Sequence, residues 1–401
     1  MRIAVTGMGV VSPLGAGVST AWEAMCRGQS GISEIASFDT EGFRFTRGGE
    51  IRDEALAAAG AGNTGGEDRA TGFMIVAARE AVDSSGLAES SEFLDHTSII
   101  VSTNFGAIQA GERLLTSIAA NEEARASDFL DYGFQGCADT IAGLWGLRGA
   151  RAVLSLSCSS GTAAIVQGVE LIRAGRAKAV VTGGYDALSR FAWSGLSALR
   201  TMTKDELRPF DKNRGGTIFS EGAAAIVIEN MDHALSRGAP VLAEVLGGAT
   251  NNNAHHMTAP SKEGEGSALV MRAALQDAGI QPSEVDHINT HGTGTKYNDL
   301  TETQAIKTVF CDSAYRIPIT SVKSMTGHMM GAAGSIEAMA AVMTLRDGII
   351  PPTINFNEPD PECDLDCVVN RSRNAAVRTV LSNSAGIGGC NAAVVFRKLE
   401  S

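Results

Sequence analysis

Three short segments carry residue types that can do chemistry together. In Val153-Leu-Ser-Leu-Ser-Cys158-Ser-Ser-Gly-Thr162 an apolar strand ends at a cysteine and a helix begins directly after it. A sulfur at such a turn meets free N–H groups and the positive end of the helix, which lower a thiol pKa and can hold a developing oxyanion. The commonest fate of a cysteine is a buried core position, and Cys26, Cys137, Cys311 and Cys390 lack an equivalent setting. His291 lies in Asp286-His-Ile-Asn-Thr-His291-Gly-Thr-Gly-Thr295, and His328 in Val322-Lys323-Ser-Met-Thr-Gly-His328-Met-Met-Gly331. Either histidine alone reads as a structural hydrogen-bonder. Two of them at strand ends, flanked by glycines, can converge on one pocket.

Thioester condensation needs such a pair. Loss of CO2 from a malonyl thioester leaves negative charge on the thioester oxygen, and neutral imidazole N–H groups stabilise it. Lys323 supplies a cation nearby that could pair with Glu337 or Glu302. Asp299 and Glu302 could cap the helix that follows His291, or, less favoured, bind a structural cation. The turn Leu381-Ser-Asn-Ser-Ala-Gly-Ile387-Gly-Gly-Cys-Asn391 offers consecutive N–H groups for an anion nest. Neither GxGxxG nor GxxxxGK occurs in a strand-to-helix context, so no dinucleotide or Walker loop is expected.

The elements that must position these groups alternate. Strands are expected over Ile3–Thr6, Ala152–Leu156, Ala179–Thr182, Ala223–Glu229, Val285–Thr290, Ile317–Ser321 and Val377–Ser382. Helices are expected over Gly72–Ser84, Thr162–Ala174, Gly266–Asp277, Leu300–Phe310 and Gly334–Arg346. That alternation argues an α/β fold. Val153–Gly183 and Ile317–Pro352 share a pattern of strand, Ser-rich turn, Ala/Gly helix and glycine turn. Both helices are poor in polar residues, which predicts a central buried pair between two sheets and two similar halves. The division falls near 235–250, giving halves 1–240 and 241–401.

Composition excludes several classes. The chain has 401 residues, 44% hydrophobic and 19% charged, with 46 non-periodic glycines. A formal charge of −12 argues against a broad nucleic-acid surface. The seven cysteines are scattered, so a disulfide framework is not expected and a reducing, cytoplasmic setting is. Cys363 and Cys367 lack further ligands around them, so no metal site is expected. No run of about 18 apolar residues is present, so no membrane insertion is expected.

Taken in order, VTGMGVVSPLG, SCSSG, RPFDKNRGG, SEGAA, HMTAP, HGTGT with its following ND, VKSMTGHMMGAAGSIE and SNSAGIGGCNA cover essentially the whole chain. The chain resembles the elongating β-ketoacyl-[acyl-carrier-protein] synthases of bacterial fatty-acid and type II polyketide assembly. The resemblance implies a thiolase-like five-layered αβαβα sandwich, usually dimeric. It implies Cys158 as acyl-accepting nucleophile, an oxyanion hole from the N–H groups of Cys158 and Ile387 beside Gly386 and Gly388, and His291 and His328 as the malonyl-binding pair. Lys323, Glu337, Asp299 and Glu302 fall on the family's supporting residues, and Thr293, Thr295, Phe219 and Ala385 on substrate-binding positions. The implied reaction is ping-pong condensation with substrates on the phosphopantetheine of acyl carrier protein, in apolar tunnels and without a metal or redox cofactor.

Two departures separate this chain from that pattern. The family's last turn commonly reads SFGFGG; here Ala385 and Ile387 replace both aromatics, the second of which is a gate beside the cysteine. Near Gly62–Arg69, where relatives that dock acidic carriers place several bases, only Arg69 occurs, beside Glu67 and Asp68. With the HGTGTKYND signature, these favour a specialised polyketide, polyene or fatty-acid pathway over housekeeping fatty-acid elongation. The partner is then a second copy or a similar chain-length-shaping subunit. A thiolase, a cysteine hydrolase and a non-catalytic partner subunit rank lower, because the two histidines, Lys323 and Cys158 are all present.

Overall fold

The computed structural model describes residues 1–58, 68–90, 92–261 and 263–399. Five strands frame the first half: Ile3–Ser12 (β1), Thr97–Ser102 (β2), Arg151–Leu154 (β3), Ala179–Asp186 (β4) and Gly222–Asn230 (β5). Five frame the second: Ala243–Asn252 (β6), His287–Asn289 (β7), Ile319–Thr320 (β8), Thr379–Ala385 (β9) and Cys390–Arg397 (β10). The spatial orders are β1-β5-β4-β2-β3 and β6-β10-β9-β7-β8. Strand senses match as well. The first two pairings of each series are antiparallel and the last two parallel. The faint sequence repeat is thus a full repeat of topology.

The halves meet where β1 pairs antiparallel with β6, through Ile3–Val245, Ala4–Glu244 and Val5–Ala243. The two expected sheets are therefore hydrogen-bonded into one continuous sheet. Five long helices cover it: Arg69–Ser85 (α1), Ser160–Arg173 (α2), Glu265–Ala278 (α3), Lys296–Phe310 (α4) and Ala333–Asp347 (α5). Each predicted strand and helix overlaps one of these elements. Helix α1 packs on β1, β4 and β5, and α3 on β6 and β10 with α4 behind it. Helices α2 and α5 each touch strands of both halves, so they form the middle layer. Three apolar clusters follow from this layering, one around the central helices and one outside each half. The result is the αβαβα order.

Central burial is uneven between the two middle helices. Every residue of α5 from Ala333 to Leu345 is buried. Helix α2 keeps an exposed edge at Gln167 and Glu170, so only α5 is sealed throughout. Small residues set how closely they approach. A Cβ on Gly161 would lie 2.6 Å from Ser335 Oγ and 3.0 Å from Gly331 O, and one on Gly334 would lie 2.3 Å from Thr162 Oγ1. Gly161→Ala is expected to lower stability by about 1–3 kcal/mol through this overpacking, read as a fall in thermal midpoint. An unchanged midpoint would mean that the helices separate without cost. Among the described residues, no helix is long and apolar enough to cross a membrane.

Candidate active site

Strand β3 leads to Cys158, and α2 begins two residues later. Ser157, just before the cysteine, has φ of +53°, an unfavourable left-handed conformation for a side-chain-bearing residue. The turn is locked by its own hydroxyls: Ser160 Oγ accepts from the Leu156 N–H at 2.7 Å, and Ser159 Oγ donates to Leu156 O at 2.8 Å. Cys158 is 7% exposed. Burial pushes its thiol above the usual range, while the Ser157 hydroxyl, the Lys323 charge and the Ile387 N–H pull it back. The expected net lowering at a helix start is thus outweighed, because the sulfur sits under the second half of the protein.

The cover is the glycine turn after β9. A Cβ at Gly386 would stand 3.1 Å from Cys158 N, and the Ile387 N–H bonds to the Cys158 sulfur. The turn closes through Gly386 N–H to Cys390 O at 2.7 Å, and Gly388 N–H donates to Met257 O at 2.7 Å. Ala385 and Ile387 are half-buried and Gly388 is exposed. This turn therefore separates the cysteine from solvent.

His291 follows β7 and is 3% exposed; His328 follows β8 and is 2% exposed. Their ring centroids are 5.5 Å apart with planes at 86°. Met330 N–H donates to His328 Nδ1 at 3.0 Å. Lys323 Nζ lies 3.2 Å from His291 Nδ1, and an ammonium can only donate. Both Nδ1 atoms are therefore acceptors. Burial, reinforced by Lys323, holds both rings well below their ordinary protonation range. Each neutral ring then carries its proton on Nε2, an assignment from partner geometry. The first half grips the second histidine directly: His328 N–H donates to Ile218 O at 2.8 Å, and Ser220 N–H to His328 O at 3.0 Å. Phe219 tilts against the His328 ring at 5.3 Å.

Lys323 is 1% exposed and pairs with Glu337, not Glu302, while also donating to His291 O at 2.6 Å. Burial pushes the Glu337 carboxyl up to about 7 against the pull of Lys323. Glu302 instead accepts from the N–H groups of His291 (2.7 Å) and Gly292 (2.8 Å), and from Asn383 Nδ2 at 2.7 Å. Asp299 accepts from Phe210 N–H at 2.8 Å and from Gly294 N–H. Burial raises both carboxyls. Neither is the N-cap of α4; that is Thr295, whose hydroxyl accepts from Asn298 N–H. The acidic pair clamps the turn that carries His291. Thr293 and Thr295 bond to each other, Oγ1 to Oγ1, at 2.9 Å. Among the described residues, no group of three or more His, Cys, Asp or Glu side chains is placed to hold a metal ion.

Two further residues join this centre. Ser384 Oγ bonds Thr162 Oγ1 at 2.8 Å and reaches toward Glu337 Oε2 at 3.4 Å. It thereby links the lysine pair to the first turn of α2. Asp186 ends β4 fully buried, and a carboxylate closing an apolar strand was the only signal for it. Of the Gly62–Arg69 stretch, 62–67 lie outside the described residues. Arg69 itself is bound to Glu221 at 2.8 Å and Asp53 at 2.6 Å, its side chain 18% exposed.

The chain matches the patterns of the Beta-ketoacyl synthase, N-terminal domain over residues 1–234 and the Beta-ketoacyl synthase, C-terminal domain over 242–357. It is 36% identical to a 3-oxoacyl-[acyl-carrier-protein] synthase 2 of Staphylococcus aureus, covering 100% of this chain and 99% of that one. The Synechocystis protein of the same name is 35% identical, with 100% and 98% covered. Among solved structures, the ishigamide ketosynthase/chain length factor superposes with TM-score 0.93 at 35% identity, covering 100% of this chain and 99% of that one. A type II polyketide ketosynthase solved in complex with its acyl-carrier protein and bound to a hexaketide gives TM-score 0.91 at 31% identity, with 100% and 99% covered.

Proposed function

The chain belongs to the β-ketoacyl synthase family, and on that premise we propose that it condenses a malonyl thioester of acyl carrier protein with an acyl chain held on Cys158. The observation that carries this reading is the pair of buried neutral imidazoles, each with Nδ1 occupied and Nε2–H free to donate, beside Lys323, whose charge acts on both rings and on the Cys158 sulfur. In the first half-reaction Cys158 attacks the acyl-carrier thioester. The N–H groups of Cys158 and Ile387 hold the oxyanion, the C–S bond to the carrier breaks, and the carrier thiol departs with the cysteine proton. In the second, the malonyl thioester oxygen accepts from His291 and His328. The bond to the carboxylate breaks, CO2 leaves, and its electron pair forms the enolate. The enolate carbon attacks the acyl-cysteine. Cys158 leaves as thiolate and regains a proton from solvent, and the 3-oxoacyl chain remains on the carrier two carbons longer.

Lys323, Glu337, Asp299 and Glu302 are proposed to support the histidines, and Thr293, Thr295, Phe219 and Ala385 to line the path of the arm and acyl chain. No metal or redox group enters this cycle, since loss of CO2 drives the C–C bond. The partners are acyl carrier protein and either a second copy or a homologous ketosynthase-like subunit, in the cytoplasm. The repeated strand order and the two matched domains support a division at 1–240 and 241–401. Incubation with acyl- and malonyl-loaded carrier, followed by intact-mass measurement, is the test. An acyl adduct on Cys158 and a 3-oxoacyl carrier are expected; a chain that never takes up the acyl group ends the proposal.

A specialised pathway is favoured by the turn over the cysteine. Four site side chains are at 7% exposure or less, and Ile387 and Ala385 are side chains of the turn packed against the cysteine. Isoleucine is β-branched and stiff at χ1. Ile387→Phe is expected to change Cys158 acylation by about 10-fold between short and long acyl carriers, with malonyl decarboxylation held within about 2-fold. Equal rates for all chain lengths in both proteins would remove Ile387 from acyl selection. Housekeeping elongation remains the second reading, and the curated relatives named above support it.

A further inference from the structure

We propose that Asp186 is a positioning residue for this condensation: its carboxylate clamps the 330–331 peptide and so holds His328 as the Nε2–H tautomer. The inference rests on the functional reading above. Asp186 comes from β4 of the first half, whereas His328 belongs to the second. Its Oδ1 accepts from the Thr103 hydroxyl at 2.7 Å, Phe105 N–H at 3.0 Å and Asn104 N–H at 3.2 Å. Its Oδ2 accepts from Gly331 N–H at 2.7 Å and Asn104 N–H at 3.0 Å.

The clamped peptide adjoins the group that sets the tautomer. Met330 N–H is the donor to His328 Nδ1, and Met330 has φ of +51°. A methionine does not hold a left-handed conformation without outside constraint. The first half supplies that constraint. Besides Asp186, the Ser102 hydroxyl reaches Gly331 O at 3.4 Å, and a Cβ at Gly331 would lie 2.8 Å from Asn104 N. Without the Gly331 bond, the turn can relax, Met330 N–H can leave Nδ1, and the ring is free to move its proton.

The electrostatics agree. Burial pushes the Asp186 carboxyl up to about 6, while the Thr103 hydroxyl and the N–H groups of Phe105, Asn104 and Gly331 draw it down. The other titratable groups in its field are Cys158 and Tyr185, both pushed upward chiefly by burial, with a smaller push from the Asp186 charge.

Asp186→Asn is the test. An amide has one acceptor oxygen, and the side bearing three donors retains it, so Gly331 N–H then faces an NH2 group. Imidazole 15N resonances of the full chain, with His328 assigned by its loss in His328→Ala, should show the Nε2–H form in wild type and a tautomer mixture in the variant. Malonyl decarboxylation should fall about 10²-fold, the scale of one misdirected oxyanion donor, with Cys158 acylation changed less than about 3-fold. Unchanged tautomer and decarboxylation overturn the proposal. So does an equal fall in both half-reactions, which marks a purely structural residue. If the variant does not fold, wild type decides alone. It should show His328 as the single Nε2–H form at neutral pH, and an Nδ1–H or mixed signal overturns the clamp. A wild-type chain that neither acylates nor decarboxylates removes the functional reading instead, and leaves the tautomer measurement interpretable.

Discussion

Cys158→Ala should yield a folded protein that still decarboxylates malonyl carrier but forms no longer chain. The nucleophile makes and breaks the covalent bond, so its loss should reduce condensation by about 10⁴-fold or more. Malonyl decarboxylation depends on His291 and His328, whose partners are Lys323 and Met330 N–H rather than the sulfur. It should persist or rise, because the enolate formed has no acyl-cysteine to attack and is simply protonated. Removing one sulfur from a mostly hydroxyl-bound turn leaves Ser159 and Ser160 holding Leu156 as before, so thermal stability should change little. The measurement is paired: CO2 release from malonyl carrier and intact mass of product carrier. A C158A protein that still lengthens an acyl chain is incompatible with the mechanism.

His328→Ala should reverse that pattern. The acyl group should still load onto Cys158, while decarboxylation falls about 10²–10³-fold, the usual effect of deleting one donor to a developing oxyanion. The ring is packed between Phe219 at 5.3 Å and His291 at 5.5 Å. Its deletion opens a buried space, with a stability loss of about 2–4 kcal/mol. Loading of Cys158, followed by mass, separates the chemical loss from unfolding. Retained decarboxylation with intact loading would assign enolate stabilisation to His291 alone and remove His328 from the reaction.

The three side chains proposed to react each stand in a short local pattern, and the joint occurrence of those patterns in order is what carried the family resemblance. An apolar strand followed by Ser, Gly or Thr and then an Ala-rich helix places a side chain at a strand end whatever lies around it. Cys158 obeys this rule; His291 precedes α4, which is not Ala-rich, and the short helix Lys323–Thr326 stands between β8 and His328, although the strands and helices around them overlap the elements the pattern predicts. Pairing was less legible. Lys323 had two carboxylates within reach in sequence, and only packing gives it Glu337 from the sealed helix α5, leaving Glu302 to the His291 turn. The helix start beside Cys158 suggested a lowered thiol, yet burial under the Gly386–Ile387 turn carries the balance the other way. Desolvation depends on what covers an atom, and here the cover comes from more than 200 positions later in the chain.

Local order along the chain therefore pointed to the groups proposed to react and to the elements that carry them. Their protonation states belong to the assembled molecule. His328 lies between the Ile218–Ser220 segment and a turn bound by Asp186, both from the first half. The Thr162–Ser384 bond joins helix α2 to strand β9. Tautomer, burial and acidity are set by neighbours in space, and those neighbours exist only once β1 and β6 have joined the halves around α2 and α5.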